Sequence, residues 1–174
     1  MKIISYNAIS INGIIAREDY TEDFLSDLDW KIFCHLSKKY KCLIISKKSY
    51  DLIKKLEDLN FLNIKNIDKI ILTKNRNIKS IKPNYYVNSP KEAIKRAKIL
   101  GHKEALLSGG GILNTLFIKE KLINEIILNI DPVMVSKGIN LFQQDKFEVK
   151  LKLLKNKRLK KGIIQLNYRV NYKK

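Results

Sequence analysis

Apolar, β-branched residues recur along this chain in short runs, and several of the intervals between them have helical spacing. The runs cover residues 3–9, 41–45, 69–73, 85–87, 104–107 and 125–130. Alternating strands and helices predict an α/β fold with a mostly parallel central sheet and helices on both faces. The length of 174 residues suits one domain and no break interrupts the pattern, so we expect residues 1–174 to form a single domain.

One helix carries signals at both of its ends. Ser89 is an N-cap residue, and Pro90 falls at the first helical position. Glu92 is placed to complete a capping box, and Gly101 is a C-terminal stop. The sequence therefore predicts a helix between Ser89 and Gly101.

The C-terminal part of the chain has a different period. Residues 147–153 and 162–170 alternate apolar with polar side chains, and a basic segment separates them. A period of two on both sides of a turn predicts an antiparallel hairpin, which we expect at the edge of the sheet.

Three consecutive glycines stand between a predicted buried strand, residues 104–107, and a segment with helical spacing. The residues of this turn and helix start are Ser108, Gly109, Gly110, Gly111 and Ile112. Bare backbone at such a turn lets unpaired N–H groups and a helix dipole approach a phosphate. The pattern favours a nucleotide-type ligand, while a tight turn without a ligand stays an alternative, because no spaced Gly-x-Gly-x-x-Gly or Walker sequence is present.

One carboxylate lies on the apolar stripe of a predicted helix. Residues 26–36 have helical spacing, and counting back four positions from Phe33 leads to Asp29. A carboxylate on a buried face is costly unless it is satisfied, which suits proton transfer or the binding of a polar ligand. The same residue could instead close a capping box with Ser26, and the spacing does not separate these two roles. Asp27 lies off the stripe and is the second choice.

Composition narrows the classes of ligand and partner. Thirty-five basic and 17 acidic residues give a net charge of +18, which favours phosphate-bearing small ligands. The lysines are scattered and no nucleic-acid-binding motif accompanies them, so we expect a solvated basic surface without a nucleic-acid site. Two cysteines and two histidines fit no zinc or disulfide framework, and we expect no metal. Without a signal peptide or a long apolar run, we expect a cytoplasmic protein with no membrane partner.

Four segments resemble the dihydrofolate reductase-like superfamily, and more closely its branch that includes the reductase domain of riboflavin biosynthesis. The segments are residues 7–16, 43–50, 108–117 and 122–142. They cover most of the chain in the family's order, and the resemblance implies a dihydrofolate reductase-like fold. It also implies NADPH as the hydride donor, lying across the C-terminal ends of the strands. Ser46 stands where the family commonly has glycine, and Asn12 where the riboflavin branch frequently has aspartate.

The resemblance further implies which residues bind the cofactor and the substrate. The glycines would approach the pyrophosphate, the residues after two other strands would bind phosphates, and small residues near the N-terminus would flank the nicotinamide. The implied cofactor-binding residues are Ala8, Ile15, Ala16, Lys47, Lys48, Ser49, Thr73, Lys74, Ser108, Gly109, Gly110, Gly111 and Ile112. The implied substrate-binding residues are Ala8, Asp29 and Phe33, with Asp29 as the catalytic acid.

Two reductase chemistries are known in the superfamily. The acid at Asp29, four residues before Phe33, resembles the residue that holds the pterin in dihydrofolate reductases. The pyrimidine reductases have Gly-x-Gly-Thr leading to Asp-Asp-Pro after the second strand, where this chain has Lys-Lys-Ser-Tyr-Asp at 47–51. We therefore expect reduction of dihydrofolate to tetrahydrofolate for one-carbon metabolism. A riboflavin-pathway reductase of the 5-amino-6-(5-phosphoribosylamino)uracil type is the alternative.

A second class of function also stays open. The same scaffold could serve as a non-enzymatic module that binds a nucleotide or another polyanion. No stripe of residues decides between a monomer and a homodimer.

Overall fold

Strands and helices alternate along most of the chain. The computed structural model describes residues 1–55 and 64–172. The strands are β1 (Lys2–Ser10), β2 (Ile14–Ala16), β3 (Cys42–Ser46), β4 (Asp68–Leu72), β5 (Asn84–Val87), β6 (Glu104–Leu107), β7 (Glu125–Asp131), β8 (Ile139–Asn140), β9 (Lys150–Arg158) and β10 (Ile164–Asn171). The helices are α1 (Asp27–Tyr40), α2 (Lys47–Lys55), α3 (Pro90–Ile99) and α4 (Gly111–Lys119).

In the described ranges, eight strands form one sheet in the order β5-β4-β3-β6-β1-β7-β10-β9. Neighbouring strands from β5 to β7 are parallel, whereas β10 is antiparallel to both β7 and β9. Strands β2 and β8 form a separate antiparallel pair. The predicted α/β fold, with its mostly parallel sheet and C-terminal hairpin at one edge, is confirmed. Because the carboxyl ends of parallel strands meet at one edge, the segments after β1, β3, β4, β6 and β7 lie together there.

Each face of the sheet has its own hydrophobic core. Ile4 packs with Phe33 of α1 in one cluster, which also contains a residue of α2. Ile3 packs with Phe117 of α4 in the other cluster, which also contains residues of α3. Adjacent residues of β1 therefore face opposite layers, as the two-residue period of a strand requires. Helices cover both faces, as the sequence predicted.

The end signals of helix α3 have the predicted effect at most positions. The Ser89 hydroxyl accepts a hydrogen bond from the Glu92 N–H at 3.2 Å, so the predicted N-cap is confirmed. The Glu92 carboxylate accepts from the N–H of Asn88 at 3.0 Å, one residue earlier than a capping box requires. Gly101 has a φ of +86° just beyond the helix, where glycine avoids the strain of a left-handed conformation.

The hairpin begins later in the chain than its alternation predicted. Its first strand covers Lys150–Arg158 instead of residues 147–153, and the turn before β10 contains the short 3₁₀ segment Lys160–Gly162. The rings of Phe147 and Phe142 are 5.6 Å apart at an angle of 67°, and Phe147 packs against the core. Its side chain is therefore half-buried through packing without belonging to a strand.

Helix α4 begins directly beneath the backbone of β8. A Cβ added to Gly111 would lie 2.5 Å from the carbonyl oxygen of Asn140, whereas one added to Gly110 would meet no atom within 4 Å. The loop after β8 is bound to the helix, because the Gln143 N–H donates to the Thr115 hydroxyl at 2.8 Å. The two glycines therefore differ: one allows the protein's own backbone to approach, and the other adjoins open space.

We expect Gly111→Ala to lower the free energy of unfolding by about 1–3 kcal/mol, because the new methyl group meets a backbone oxygen that cannot rotate away. Gly110→Ala is the matched control and should change it by less than about 0.5 kcal/mol. Urea unfolding of both variants measures this difference. Equal stabilities would contradict the close approach of α4 and β8.

Candidate active site

Two asparagine side chains hold the glycine turn after β6. The Asn7 side chain donates to the carbonyl oxygen of Gly109 at 3.1 Å, and the Asn114 side chain donates to the same oxygen at 3.1 Å. Asn114 also donates to the Leu141 carbonyl at 3.0 Å. Both asparagines are buried, so these bonds are shielded from water and fix the path of the turn. Neither residue was a sequence candidate, because a polar residue in a strand or helix does not reveal its distant partner.

Among the described residues, no side chain caps the N-terminus of α4. Its N-cap residue, Gly110, makes no side-chain hydrogen bond, and the first turn contains no acidic residue. The starts of α1 and α3 differ, since their first turns contain Asp29 and Glu92. The first turn of α2 also lacks an acid, but a side chain caps that helix. Free N–H groups and the positive end of the helix dipole attract an anion. Ile112, on the same turn, is 63% exposed, so the approach to these N–H groups is open.

Helix α2 starts at the same edge of the sheet. The Ser46 hydroxyl accepts from the Ser49 N–H at 3.1 Å, so Ser46 caps this helix. Lys47 forms an ion pair with Asp51 one turn later and donates to its two carboxylate oxygens at 2.7 and 2.5 Å. Lys48 is exposed, and its ammonium lies 3.0 Å from the centre of the Tyr20 ring. The cationic Lys48 therefore adjoins this edge, while the charge of Lys47 is partly neutralised.

The segment after β4 contributes two further predicted positions. Thr73 is half-buried, its N–H donates to the Val87 carbonyl at 2.9 Å, and its hydroxyl accepts from the Asn75 N–H at 3.1 Å. Lys74 is exposed. The turn is thus held by its own hydrogen bonds and presents one cation to solvent.

The predicted nicotinamide residues lie where β1 meets the small β2–β8 sheet. Ala8 is half-buried, and Ile15 and Ala16 are buried in β2. Asn12 donates to the carbonyl of Val135 at 2.7 Å and accepts from its N–H at 3.2 Å. Asn12 therefore joins the β1–β2 loop to the segment after β7.

Asp29 is 4% exposed and has both of the roles that its spacing left open. One carboxylate oxygen accepts from the Ser26 N–H at 3.0 Å and completes a capping box. The other accepts from the Asn129 side chain at 2.6 Å. Asp27 is exposed, and Phe33 is buried in the core, where its ring centre lies 5.1 Å from that of Trp30.

A buried hydrogen-bond network surrounds Asp29. The Gln165 amide donates to the Asn129 oxygen at 2.9 Å, and the Asn129 amide donates to the Tyr6 hydroxyl at 3.1 Å as well as to Asp29. Tyr6 donates to the backbone oxygen of Asp29 at 3.0 Å. Ala8, Asn129 and Gln165 occupy paired positions on β1, β7 and β10. The sequence did not indicate this network, because it depends on the register of three neighbouring strands.

A cavity of about 600 Å³ lies at the opposite edge of the sheet, where β3 and β4 begin. Its lining includes Lys38, Lys41, Asp68 and His102. Neither the glycine turn nor Asp29 lines it, so size alone does not mark the site. The groups suited to chemistry instead meet at the carboxyl edge.

Residues 1–55 and 64–172 contain neither a metal-binding cluster nor a membrane-spanning helix. No cluster of three or more histidine, cysteine, aspartate or glutamate side chains there could hold a metal ion. No helix within the same ranges is long and apolar enough to cross a bilayer.

Known proteins resemble this chain over nearly its whole length. The uncharacterized protein YyaP of Bacillus subtilis (strain 168) is 26% identical over 187 aligned residues, which cover 98% of this chain and 95% of that protein. The crystal structure of a putative riboflavin biosynthesis protein from Shewanella sp. PV-4 matches with a TM-score of 0.80 at 18% identity, covering 99% of this chain and 100% of that one. Dihydrofolate reductase from Enterococcus faecalis, in complex with NADP(H), matches with a TM-score of 0.71 at 14% identity, covering 98% and 97%.

These similarities confirm the predicted dihydrofolate reductase-like fold. The family model of the RibD C-terminal domain matches residues 1–165. The chain therefore belongs to the RibD C-terminal domain family.

Proposed function

We propose that this protein is an NADPH-dependent reductase of a riboflavin-pathway substrate, a ribosylamino-pyrimidine phosphate, and that it reduces the C=N bond of the imine formed when the C1′–O bond of the ribose ring breaks and the amine proton moves to that oxygen. The observation that carries the proposal is the uncapped, acid-free N-terminus of α4, which lies at the same sheet edge as the buried Asp29 carboxylate. Membership in the RibD C-terminal domain family supports the substrate class. The net charge of +18 suits two phosphate-bearing reactants.

The residues present fit a dinucleotide. The N–H groups of Gly111 and Ile112 would bind the diphosphate, because no side chain of α4 caps them and the space beside Gly110 is open. Lys48 and Lys74, both exposed, would bind the 2′-phosphate. The E. faecalis structure with NADP(H) supports this choice of cofactor. When bound, the cofactor supplies a hydride.

The protein's own contribution at the reacting end is orientation and charge. Ala8 is small and would leave room for the nicotinamide beside β1. Asp29, held by Ser26 and Asn129, would bind N–H groups of the substrate ring and stabilise positive charge as the imine nitrogen is protonated. Both of its donors are fixed by other bonds, so the carboxylate is positioned before the substrate arrives.

Dihydrofolate is the second candidate substrate. The specific observation in its favour is that a buried carboxylate begins the first helix of a fold that matches a dihydrofolate reductase with a TM-score of 0.71. The family match favours the pyrimidine instead and corrects the order of preference that Asp29 and residues 47–51 suggested. Both reactions reduce a C=N bond, so the same edge of the sheet could perform either.

We expect Gly110→Val to weaken NADPH binding by about 10-fold or more, because a branched side chain would occupy the space in front of the α4 amides. Its unfolding temperature should stay close to that of the wild type, since a Cβ at this position meets no atom within 4 Å. Isothermal titration calorimetry with NADPH gives the dissociation constants. Lys91→Ala, which removes an exposed charge from the first turn of α3, is the control and should leave the affinity unchanged. Equal affinities of wild type and Gly110→Val would contradict the cofactor site.

Turnover with the two substrates tests the reaction itself. With NADPH in excess, we expect oxidation of the nicotinamide with the ribosylamino-pyrimidine phosphate and a kcat/KM at least about 10-fold lower with dihydrofolate. The reverse ratio would make dihydrofolate the substrate. NADPH binding without oxidation by either compound would support a non-enzymatic nucleotide-binding module and contradict a reductase.

Asp29→Asn should lower kcat by about 100-fold near neutral pH, because the neutral amide cannot stabilise the protonated imine. Asparagine can still cap α1, and the NADPH dissociation constant should change by less than about 2-fold. Stopped-flow measurement of NADPH oxidation, together with calorimetry, separates the two quantities. Unchanged turnover would mean that Asp29 acts only as a helix cap.

A further inference from the structure

A second buried carboxyl group lies beside Asp29. Asp131 is the last residue of β7 and pairs in register with Ser10 of β1. It is 4% exposed, and Asn129, two residues earlier, lies on the same face of the strand. Asp131 was not a sequence candidate, because an aspartate before Pro132 is typical of an ordinary strand end.

The hydrogen bonds around the two carboxyl groups are unequal. Each oxygen of Asp29 accepts a bond from an N–H donor, one from Ser26 and one from Asn129. The Oδ2 atom of Asp131 is buried and has no donor among the described residues. Asp131 instead lies within hydrogen-bonding reach of the Asp29 carboxylate. Two ionised carboxylates would repel each other there, and a single proton on Asp131 turns it into the missing donor.

The titratable groups around the pair support this assignment of the proton. Burial raises the pKa of Asp131 to about 7, and the charge of Asp29 and the hydrogen bond to it act in the same direction. The Ser26 N–H and the Lys161 ammonium act against this rise. Burial, followed by the charges of both acids, raises the pKa of Tyr6, which therefore stays neutral.

Among the described residues, one other acid interacts with the pair. Glu22 precedes α1, and burial, followed by the charge of Asp29, raises its pKa to about 7. Asp29 and Asp131, each 4% exposed, form the buried pair, and a Glu22→Gln variant separates the titration of Glu22 from theirs.

We propose that Asp131 is a positioning residue that shares one proton with Asp29 and holds it one hydrogen bond from the acid that faces the substrate. This inference rests on the proposed reductase function for its role in the reaction, although the shared proton itself is a property of the folded chain. It extends the proposed function, in which a single acid served the site.

The proton balance of the reduction follows from this arrangement. Hydride adds to the carbon of the C=N bond, the π electrons move to the nitrogen, and a new N–H bond forms. The Asp131 O–H bond breaks as its proton moves to an oxygen of the Asp29 carboxylate, and Asp29 then transfers that same proton to the nitrogen. The pair is left with one additional negative charge and regains a proton from water before the next turnover. Lys161 and the Asn129 amide lower the cost of that transient charge.

The pair also predicts how stability depends on pH. Because the folded-state pKa of Asp131 lies above its ordinary value of 3.8, the folded protein holds this proton after the unfolded chain has released it. The resulting stabilisation is complete below pH 3.8 and disappears as the pH rises to about 7. Asparagine at position 131 donates a hydrogen bond to Asp29 at every pH. It therefore removes the pH dependence of stability that Asp131 causes.

The test compares wild type, Asp131→Asn and, as a control, Asp19→Asn, which changes an exposed aspartate. We expect the unfolding temperature of wild type and control to fall by several degrees, roughly 4–8 °C, between pH 5 and about pH 8 relative to Asp131→Asn. Infrared spectra of the wild type near pH 6 should contain the C=O band of a protonated carboxylic acid. Asp131→Asn should lose the part of this band that Glu22→Gln retains, because the pKa of Glu22 is also raised to about 7. The band in the wild-type spectrum can be observed even if a variant fails to fold. Identical pH dependence in all three proteins, or no such band in the wild type, would overturn the shared proton.

The kinetic readout tests the role of Asp131 in the reaction. We expect Asp131→Asn to lower kcat at pH 7 by about 10-fold with less than about 2-fold change in KM, and to remove the decline of wild-type kcat above pH 7. An unchanged kcat–pH profile would overturn the positioning role. A wild type that has the infrared band but oxidises no NADPH would contradict the proposed reductase while supporting the shared proton.

Discussion

The carbonyl oxygen of Gly109 is the point on which the candidate site depends. Asn7 from β1 and Asn114 from α4 both donate to it, and both lie out of contact with water. Because α4 lacks a side-chain cap, these two hydrogen bonds fix the position at which the helix begins. The first N–H groups of α4 therefore stay available without leaving the turn undefined. These N–H groups cost free energy in an uncapped helix unless water or an anion accepts their hydrogen bonds.

Strand β1 separates the two halves of the site through its two-residue period. Asn7 faces the glycine turn, whereas Tyr6 and Ala8 belong to the opposite face, where Tyr6 contacts Asp29 and Asn129. One strand thus connects the anion-binding turn to the carboxyl groups. Because the strand is rigid and paired on both sides, the distance between the two halves is set by the backbone. This arrangement suits a reaction in which positioning supplies most of the rate.

The elements of the fold were predictable because their signals are local. The apolar run of β6, the three glycines and the caps of α3 each need only a few neighbouring residues. The predicted start of β9 was wrong, because Phe147 alternates with polar residues yet is half-buried by an edge-to-face contact with Phe142 and by packing against the core. Sequence spacing records that a side chain is buried, but it does not distinguish strand pairing from such packing.

The acid network was only partly predictable, and the reason is physical. Asp29 was identified from helical spacing, since its partners in the capping box are close in sequence. Asn129, Gln165 and Asp131 come from strands whose neighbours in the sheet are far apart along the chain. A shift of one residue in either register would turn these side chains to the other face. Their roles therefore appear only when the order and register of β1, β7 and β10 are known.

Backbone amide NMR during a titration with NADPH shows whether the first amides of α4 bind a diphosphate. We expect the largest shift changes at Gly110, Gly111 and Ile112, and inorganic pyrophosphate should move the same signals. Unmoved signals at these three amides, with changes confined to the cavity near Lys38 and His102 at the opposite edge, would contradict diphosphate binding at this helix.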